Sequence, residues 1–168
     1  MIIHQVYLSV GSNLGDPMRN CCHGIELLSN NHHIAMITRS PFYKTQPVDY
    51  LDQAWFINAA LRFKTDLSPF ELLLKTQAIQ HQIGRKKDGV RFGPRILDLD
   101  IIFYDDQLID TPNLVVPHPR AHERRFVLQP ICDIDPQVVH PVFGQTVQTI
   151  LNQIPKENQE LLPCLSGC

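Results

Sequence analysis

Asp98 and Asp100 stand one residue apart in Gly93-Pro94-Arg95-Ile96-Leu97-Asp98-Leu99-Asp100-Ile101-Ile102-Phe103-Tyr104, a run that reads as a turn followed by a strand. Side chains alternate along a strand, so Asp98, Asp100 and Ile102 face one way while Leu97, Leu99, Ile101 and Phe103 face the other, into a core. Two like charges about 7 Å apart on one face repel unless a cation lies between them, and hard divalent ions take carboxylate oxygens readily. Magnesium is the natural candidate. Basic residues flank the pair in sequence: Arg85, Lys86, Lys87, Arg91 and Arg95 upstream, His118, Arg120, His122, Arg124 and Arg125 downstream. An acidic pair between basic loops is what metal-assisted phosphoryl transfer requires. Metal ions bridge the phosphates, arginines neutralise charge moving onto the leaving group, and closure excludes water.

The surrounding sequence supplies elements to position these groups. Val6, Leu8 and Val10 alternate with Tyr7 and Ser9 as a first strand, which ends in the turn-rich Gly11-Ser12-Asn13-Leu14-Gly15. Asp16-Pro17 has the form of an N-cap with proline at the first helical position and predicts a helix to about Leu28. A second strand is predicted near Ile34 to Tyr43. A third is expected at Phe56 to Thr65, with Phe56, Asn58 and Ala60 on one face. Ser68-Pro69-Phe70-Glu71 is a capping box opening a helix that ends at Gly84, and the Asp98 strand is the fourth. The order β-α-β-β-α-β predicts an α+β fold, a ferredoxin-like split βαβ core with both helices on one face of an antiparallel sheet. Asn58 and the two aspartates then share the free face. Asparagine is depleted in strands and needs partners when buried, so a ligand or a loop backbone must satisfy it. The chain from Leu108 onward, with short helices near Phe126 to Ile131 and Thr146 to Ile154, is expected to cover the site.

Composition sets the outer bounds. At 168 residues, 43% apolar and 19% charged, the chain is expected to be a single domain over 1–168 with a full core. A net charge of −2 gives no bulk attraction to nucleic acid or anionic lipid. There is no basic segment followed by a long apolar run at the amino terminus and no stretch of membrane-spanning length, so a cytoplasmic location is expected. Five cysteines, odd in number and without Cys-x-x-Cys spacing, argue against a disulfide framework or zinc site and read as reduced thiols.

Taken together, Gly11-Ser12-Asn13-Leu14, Tyr43-x-Thr45, Phe56-Ile57-Asn58-Ala59-Ala60, Gly84-Arg85, Gly93-Pro94-Arg95-x-x-Asp98-x-Asp100, Val116-Pro117-His118 and Arg124-x-Phe126-x-Leu128-x-Pro130 resemble the 6-hydroxymethyl-7,8-dihydropterin pyrophosphokinase family of folate biosynthesis. Each motif is common alone; their shared order is specific and covers nearly the whole chain. The resemblance implies transfer of pyrophosphate from ATP to the pterin hydroxymethyl group, release of AMP, and two magnesium ions held by Asp98 and Asp100. It implies that Arg85, Arg95, His118 and Arg124 meet the triphosphate, with Arg85 and Arg95 on closing loops and counted with the aspartates as catalytic. Gln77, Lys87 and Ile101 fall near the nucleotide. On the pterin side the resemblance implies Asn58 as the amide that reads the heterocycle and Phe56 and Phe126 as its aromatic sandwich. Gly11 and the loop Thr45, Gln46, Pro47 and Val48 complete that side. The expected partners are these small molecules alone, bound by a monomer.

Several positions depart from the family pattern. Gln80 stands where glutamate is common, which removes a charge expected near the site; Phe92 replaces a tryptophan beside Gly-Pro-Arg, and Pro119 and Phe56 replace frequent tyrosines. The last residues, Leu161 to Cys168, have no counterpart and no assigned role. Two other readings use some of the same residues. A metal-dependent phosphotransferase with a different acceptor would share the aspartates and arginines but give no meaning to Asn58. A ferredoxin-like binding module would not need those charges together, and RNA binding is disfavoured by charge and by the lack of an Arg-Gly-Phe-Gly-Phe type signature.

Overall fold

The structure, a computed structural model, describes Met1 and residues 3–84 and 91–168. The expectations for Arg85, Lys86 and Lys87 lie outside the described residues.

The first half follows from local signals. Strand β1 (His4–Ser12) leads to helix α1 (Pro17–Ser29), whose first turn is capped where the Asp16 carboxylate accepts from the Arg19 N–H at 3.1 Å. Helix α2 (Pro69–Ile83) has the full reciprocal box: Ser68 and Glu71 each accept the other's backbone N–H, and Gly84 closes it in the left-handed region at φ 115°. Gly24 lets α1 approach Leu97 closely, because a Cβ there would lie 2.7 Å from Leu97 Cδ2. The predicted second strand is two strands. Strand β2 (Ile34–Arg39) bulges at Met36, which has a positive φ of 55°, and the pairing breaks at Ser40-Pro41-Phe42 before β3 (Tyr43–Thr45). Proline lacks the N–H that a continuous ladder needs, and the Ser40 hydroxyl instead accepts the Ala60 N–H.

Strand β4 (Phe56–Thr65) pairs with β1, β2 and β3, and β5 (Asp98–Tyr104) pairs with β1, all antiparallel. The sheet order β5-β1-β4-β3 is that of the expected split βαβ core. Helices α1 and α2 cover one face over Val6, Leu8, Val10, Leu61, Phe63 and Leu99. On the other face Tyr7, Ala60, Ile102 and Phe103 pack against α3 (Arg125–Ile134) and α4 (Val147–Gln153) through Val127, Leu128, Ile131, Val147 and Ile150. Phe103 corrects the expectation from strict alternation. Tyr7 opposes Phe103 but Leu8 opposes Ile101, so one extra residue in β5 turns Phe103 to the open face and Tyr104 into the helix-side core. The carboxy-terminal extension covers the Tyr7 and Phe103 end of the free face and brings His118, Arg124 and Phe126 beside the end that holds Asn58 and Asp98. The short ribbon β6 (Ile109–Asp110) and β7 (Val115–Val116) leads through Pro117 into the wall beside the remaining end.

The tail has a structural role that its sequence did not reveal. Strand β8 (Leu161–Pro163) extends the sheet beyond β3, the Gln46 N–H donates to the Glu160 carbonyl at 3.0 Å, and Cys164 donates to the Phe42 carbonyl. Cys168 is joined by a disulfide to Cys22 on α1, which corrects the reading of all five cysteines as thiols; Cys21, Cys132 and Cys164 are free. A cross-link spanning 146 positions restricts the unfolded chain strongly. Cys168→Ser is expected to lose about 2–4 kcal/mol in a non-reducing urea titration. Reductant should bring the wild type down to the variant.

Candidate active site

Register across three strands builds the floor of a cavity of about 260 Å³. Gly11 opposes Asn58 on one side and Asp98 on the other; two residues back, Ser9 opposes Ala60 and Asp100. All point to the same face, so the two carboxylates lie beside a glycine and a serine, with the Asn58 amide one strand further on. The backbone at Gly11 is overlain by that amide, and a Cβ on residue 11 would fall 2.4 Å from Asn58 Nδ2. Asn58 is buried, and its Oδ1 accepts from the Thr45 hydroxyl at 2.6 Å. Its NH2 makes only a long 3.4 Å contact to the Val10 carbonyl. Thr45 therefore fixes which end of the amide is oxygen and leaves the NH2 with donor capacity.

Loops raise the walls. Asn13 is the peg that holds two of them: its N–H donates to the Arg95 carbonyl and its Oδ1 accepts the Arg95 N–H at 2.8 Å. Its Nδ2 donates to Gln53 and to the Ala54 carbonyl, while Gln53 reaches the Phe92 carbonyl at 2.9 Å. Arg95 thereby stands over β5, its Nε 4.0 Å from Asp98. Phe92, at φ 57°, lies among Arg91, Arg120 and Arg124, with guanidinium carbons 4.9 to 5.8 Å from its ring centre. Arg124 also lies 5.6 Å from the Phe126 ring. Burial and the neighbouring Arg120 charge push the Arg124 guanidinium below its usual pKa, against the pull of Asp49 and Asp100. His118 is pushed down to about 4 by burial and then by Arg124 and Arg120, so it is neutral at pH 7. Its Nδ1 accepts the Arg120 N–H at 3.2 Å, which leaves the ring proton on Nε2.

Of the residues singled out in the sequence, the cavity brings together Gly11, Thr45, Gln46, Pro47, Val48, Phe56, Asn58, Arg95, Asp98, Asp100, His118, Arg124 and Phe126. Gln77 and Ile101 are not in it: Gln77 is exposed on α2 and Ile101 is buried in the helix-side core. Arg85 and Lys87 lie outside the described residues. Gln80 also differs from expectation. It sits on the helix side, where its Oε1 accepts the Leu99 N–H at 3.1 Å and its Nε2 donates to the Thr76 carbonyl. Leu99 separates the two aspartates on an edge strand, so the uncharged amide caps a backbone donor between them. Asp49, Gln53 and Asn13 were missed as site builders, since their partners are tens of residues away in sequence.

Paired carboxylates facing arginines in an aromatic-walled cavity define a metal-assisted phosphoryl-transfer enzyme with room for a flat acceptor. Two neighbouring carboxylates offer hard oxygens of the kind magnesium takes; among the described residues no group of three or more His, Cys, Asp or Glu that could hold a metal by itself is found. Residues 7–136 match the family described as 7,8-dihydro-6-hydroxymethylpterin-pyrophosphokinase. The chain is 45% identical over 132 residues to the 2-amino-4-hydroxy-6-hydroxymethyldihydropteridine pyrophosphokinase of Bacillus subtilis, covering 79% of this chain and 78% of the relative. The protein of the same name in Pseudomonas aeruginosa is 36% identical over 162 residues, covering 96% of this chain and 99% of the relative. The crystal structure of Plasmodium falciparum HPPK-DHPS, wild type with pteroate, has the same fold: TM-score 0.73 at 15% identity, over 95% of this chain and 46% of that one. The chain belongs to the 7,8-dihydro-6-hydroxymethylpterin-pyrophosphokinase family.

Gly11→Ala tests the floor. The added methyl must displace the Asn58 amide, so a pterin analogue is expected to bind about tenfold more weakly while magnesium nucleotide binding holds. Trp55, the single tryptophan and the neighbour of Phe56, provides the fluorescence readout.

Proposed function

We propose that this cavity carries out the family reaction, with the floor of the sheet holding the pterin and the loops holding the triphosphate. Membership of the family supplies the chemistry: pyrophosphate passes from ATP to the hydroxymethyl group of 6-hydroxymethyl-7,8-dihydropterin in folate synthesis. The observation that supports the site assignment is the row Asn58, Gly11, Asp98 with Asp100 beside it, which puts an amide with donor capacity and the two carboxylates in one cavity.

In this reading Asn58 donates from its NH2 to the pterin edge, Phe56 and Phe126 flank the ring, and Gly11 and Thr45 to Val48 close around it. Asp98 and Asp100 hold two magnesium ions. Bound there, magnesium spreads the triphosphate charge and lowers the pKa of the attacking hydroxyl. Arg95 and Arg124 meet the phosphates, joined by Arg85 on family position alone, and neutral His118 donates from Nε2 to a phosphate oxygen. Gln77, Lys87 and Ile101 are assigned to the nucleotide by family position alone. The hydroxymethyl oxygen forms a bond to the β-phosphorus as the bond from that phosphorus to the α-phosphate oxygen breaks, and AMP departs. Asp100 is the proposed acceptor of the hydroxyl proton. Positioning and charge neutralisation supply most of the rate in such transfers. One domain, residues 1–168, carries every assigned residue and acts as a monomer in the cytoplasm, where ATP is at hand. Among the described residues no helix is long and apolar enough to cross a membrane.

An assay with magnesium, ATP and 6-hydroxymethyl-7,8-dihydropterin should yield AMP only when the pterin is present. Asp98→Ala and Asp100→Ala should each lower turnover about a thousandfold or more, with far-ultraviolet circular dichroism unchanged. Pterin-dependent ADP, or near-normal turnover in either variant, overturns the assignment.

A further inference from the structure

Asp49 has no part in the reading above, yet it lines the cavity and holds one of its cations, Arg124, together with the neighbouring Arg120. It follows the Thr45–Val48 loop directly. Its Oδ1 accepts from Arg120 Nη2 at 2.6 Å and its Oδ2 from Arg124 Nη2 at 3.1 Å, across 71 and 75 positions of sequence. The backbone of Asp49 is left-handed, φ 60°, a region that few side chains enter and aspartate tolerates. The pair is only partly solvated, with side-chain exposures of 20% for Asp49 and 12% for Arg124.

Arg124 is the more telling partner. Its Nε is buried without an acceptor among the described residues, while its Nη2 is held by a carboxylate of its own chain. A buried guanidinium donor with nothing to donate to is costly and marks a place for an incoming acceptor. Carboxylate and phosphate oxygens meet a guanidinium in the same planar, two-point fashion, so they compete for the same donors. Charge balance in the cavity points the same way. Among the described residues of its lining, Asp49, Asp98 and Asp100 stand beside Arg91, Arg95 and Arg124, and Asp49 cancels one positive charge that an anionic ligand would otherwise feel at Arg124.

We propose that Asp49 is an internal competitor for nucleotide phosphate: its carboxylate occupies the Arg120–Arg124 pair in the free protein, and the triphosphate must displace it to engage Arg124. The proposal rests on the reading of Arg124 as a triphosphate contact. Nucleotide affinity is therefore set below what the arginines alone would give. Displacement also releases the end of the loop that closes around the pterin, so the two substrate sides share one ion-pair cluster. If Asp49 instead served only to orient the arginines, its removal would weaken nucleotide binding, the opposite sign.

Isothermal titration with magnesium and the α,β-methylene analogue of ATP separates these cases in wild type, Asp49→Asn, Asp49→Gly and Arg124→Ala. Asparagine and glycine both accept the left-handed backbone and both lack the charge, and thermal unfolding checks that each variant is folded. Both Asp49 variants are expected to bind the analogue about five- to tenfold more tightly than wild type, and Arg124→Ala more weakly. Equal or weaker binding by both Asp49 variants, with Arg124→Ala still weakened, overturns the competitor and leaves the triphosphate contact standing. Wild-type binding by Arg124→Ala overturns the contact itself, and the competitor with it.

Discussion

Antiparallel pairing of β1 with β4 on one side and β5 on the other is the constraint on which the site depends. It sets Asn58, Gly11 and Asp98 in one row and Ala60, Ser9 and Asp100 in the next. A slip of one residue in either pairing would send the carboxylates into the helix-side core, where Leu99 and Ile101 now lie. The apolar residues between the polar ones forbid that slip: Val6, Leu8 and Val10 must remain under α1 and α2. The hydrophobic face thus holds the chemical face in register. Gly11 completes the constraint, because the middle strand must carry no side chain where the Asn58 amide lies over it.

The parts of the fold written locally were legible in the sequence. Capping at Asp16 and Ser68, the glycine stop at Gly84 and period-two alternation in β1 and β4 each act over a few residues, and each matched. The polar residues of the floor were legible for the same reason, since aspartate and asparagine inside apolar strands stand out. What escaped depends on partners distant along the chain. The extra residue in β5 is defined only against β1, so alternation alone misplaced Phe103. The break at Ser40-Pro41-Phe42 depends on the Ser40 bond to Ala60, and the tail gains its strand only by meeting β3. The bridge from Cys22 to Cys168 has no signature in spacing, because 146 positions separate the two sulfurs.

Gln80 carries a related lesson about function. Its position suggested a lost charge near the reaction, but its amide lies on the opposite side of β5 and satisfies the Leu99 N–H. An edge strand exposes such donors, and a carboxamide accepts one as readily as a carboxylate while its own NH2 finds the Thr76 carbonyl. A side chain can therefore shape the carboxylate pair from behind, by holding the backbone between them, without touching a substrate.

Floor and walls differ in how they are held, and that difference bears on mechanism. The floor is fixed by a continuous ladder with a core on its far side, so Asn58, Gly11 and the aspartates keep their spacing whatever binds. The walls are fixed by a few side-chain bonds: Asn13 to Arg95, Gln53 to Phe92, Asp49 to Arg120 and Arg124. Bonds of that kind exchange readily for bonds to phosphate, whereas a ladder does not. A flat heterocycle is best read by groups that stay in place. On the proposed assignment, a triphosphate that arrives highly charged and leaves divided between two products is best served by cations that can change partners, and the loops are where such cations lie.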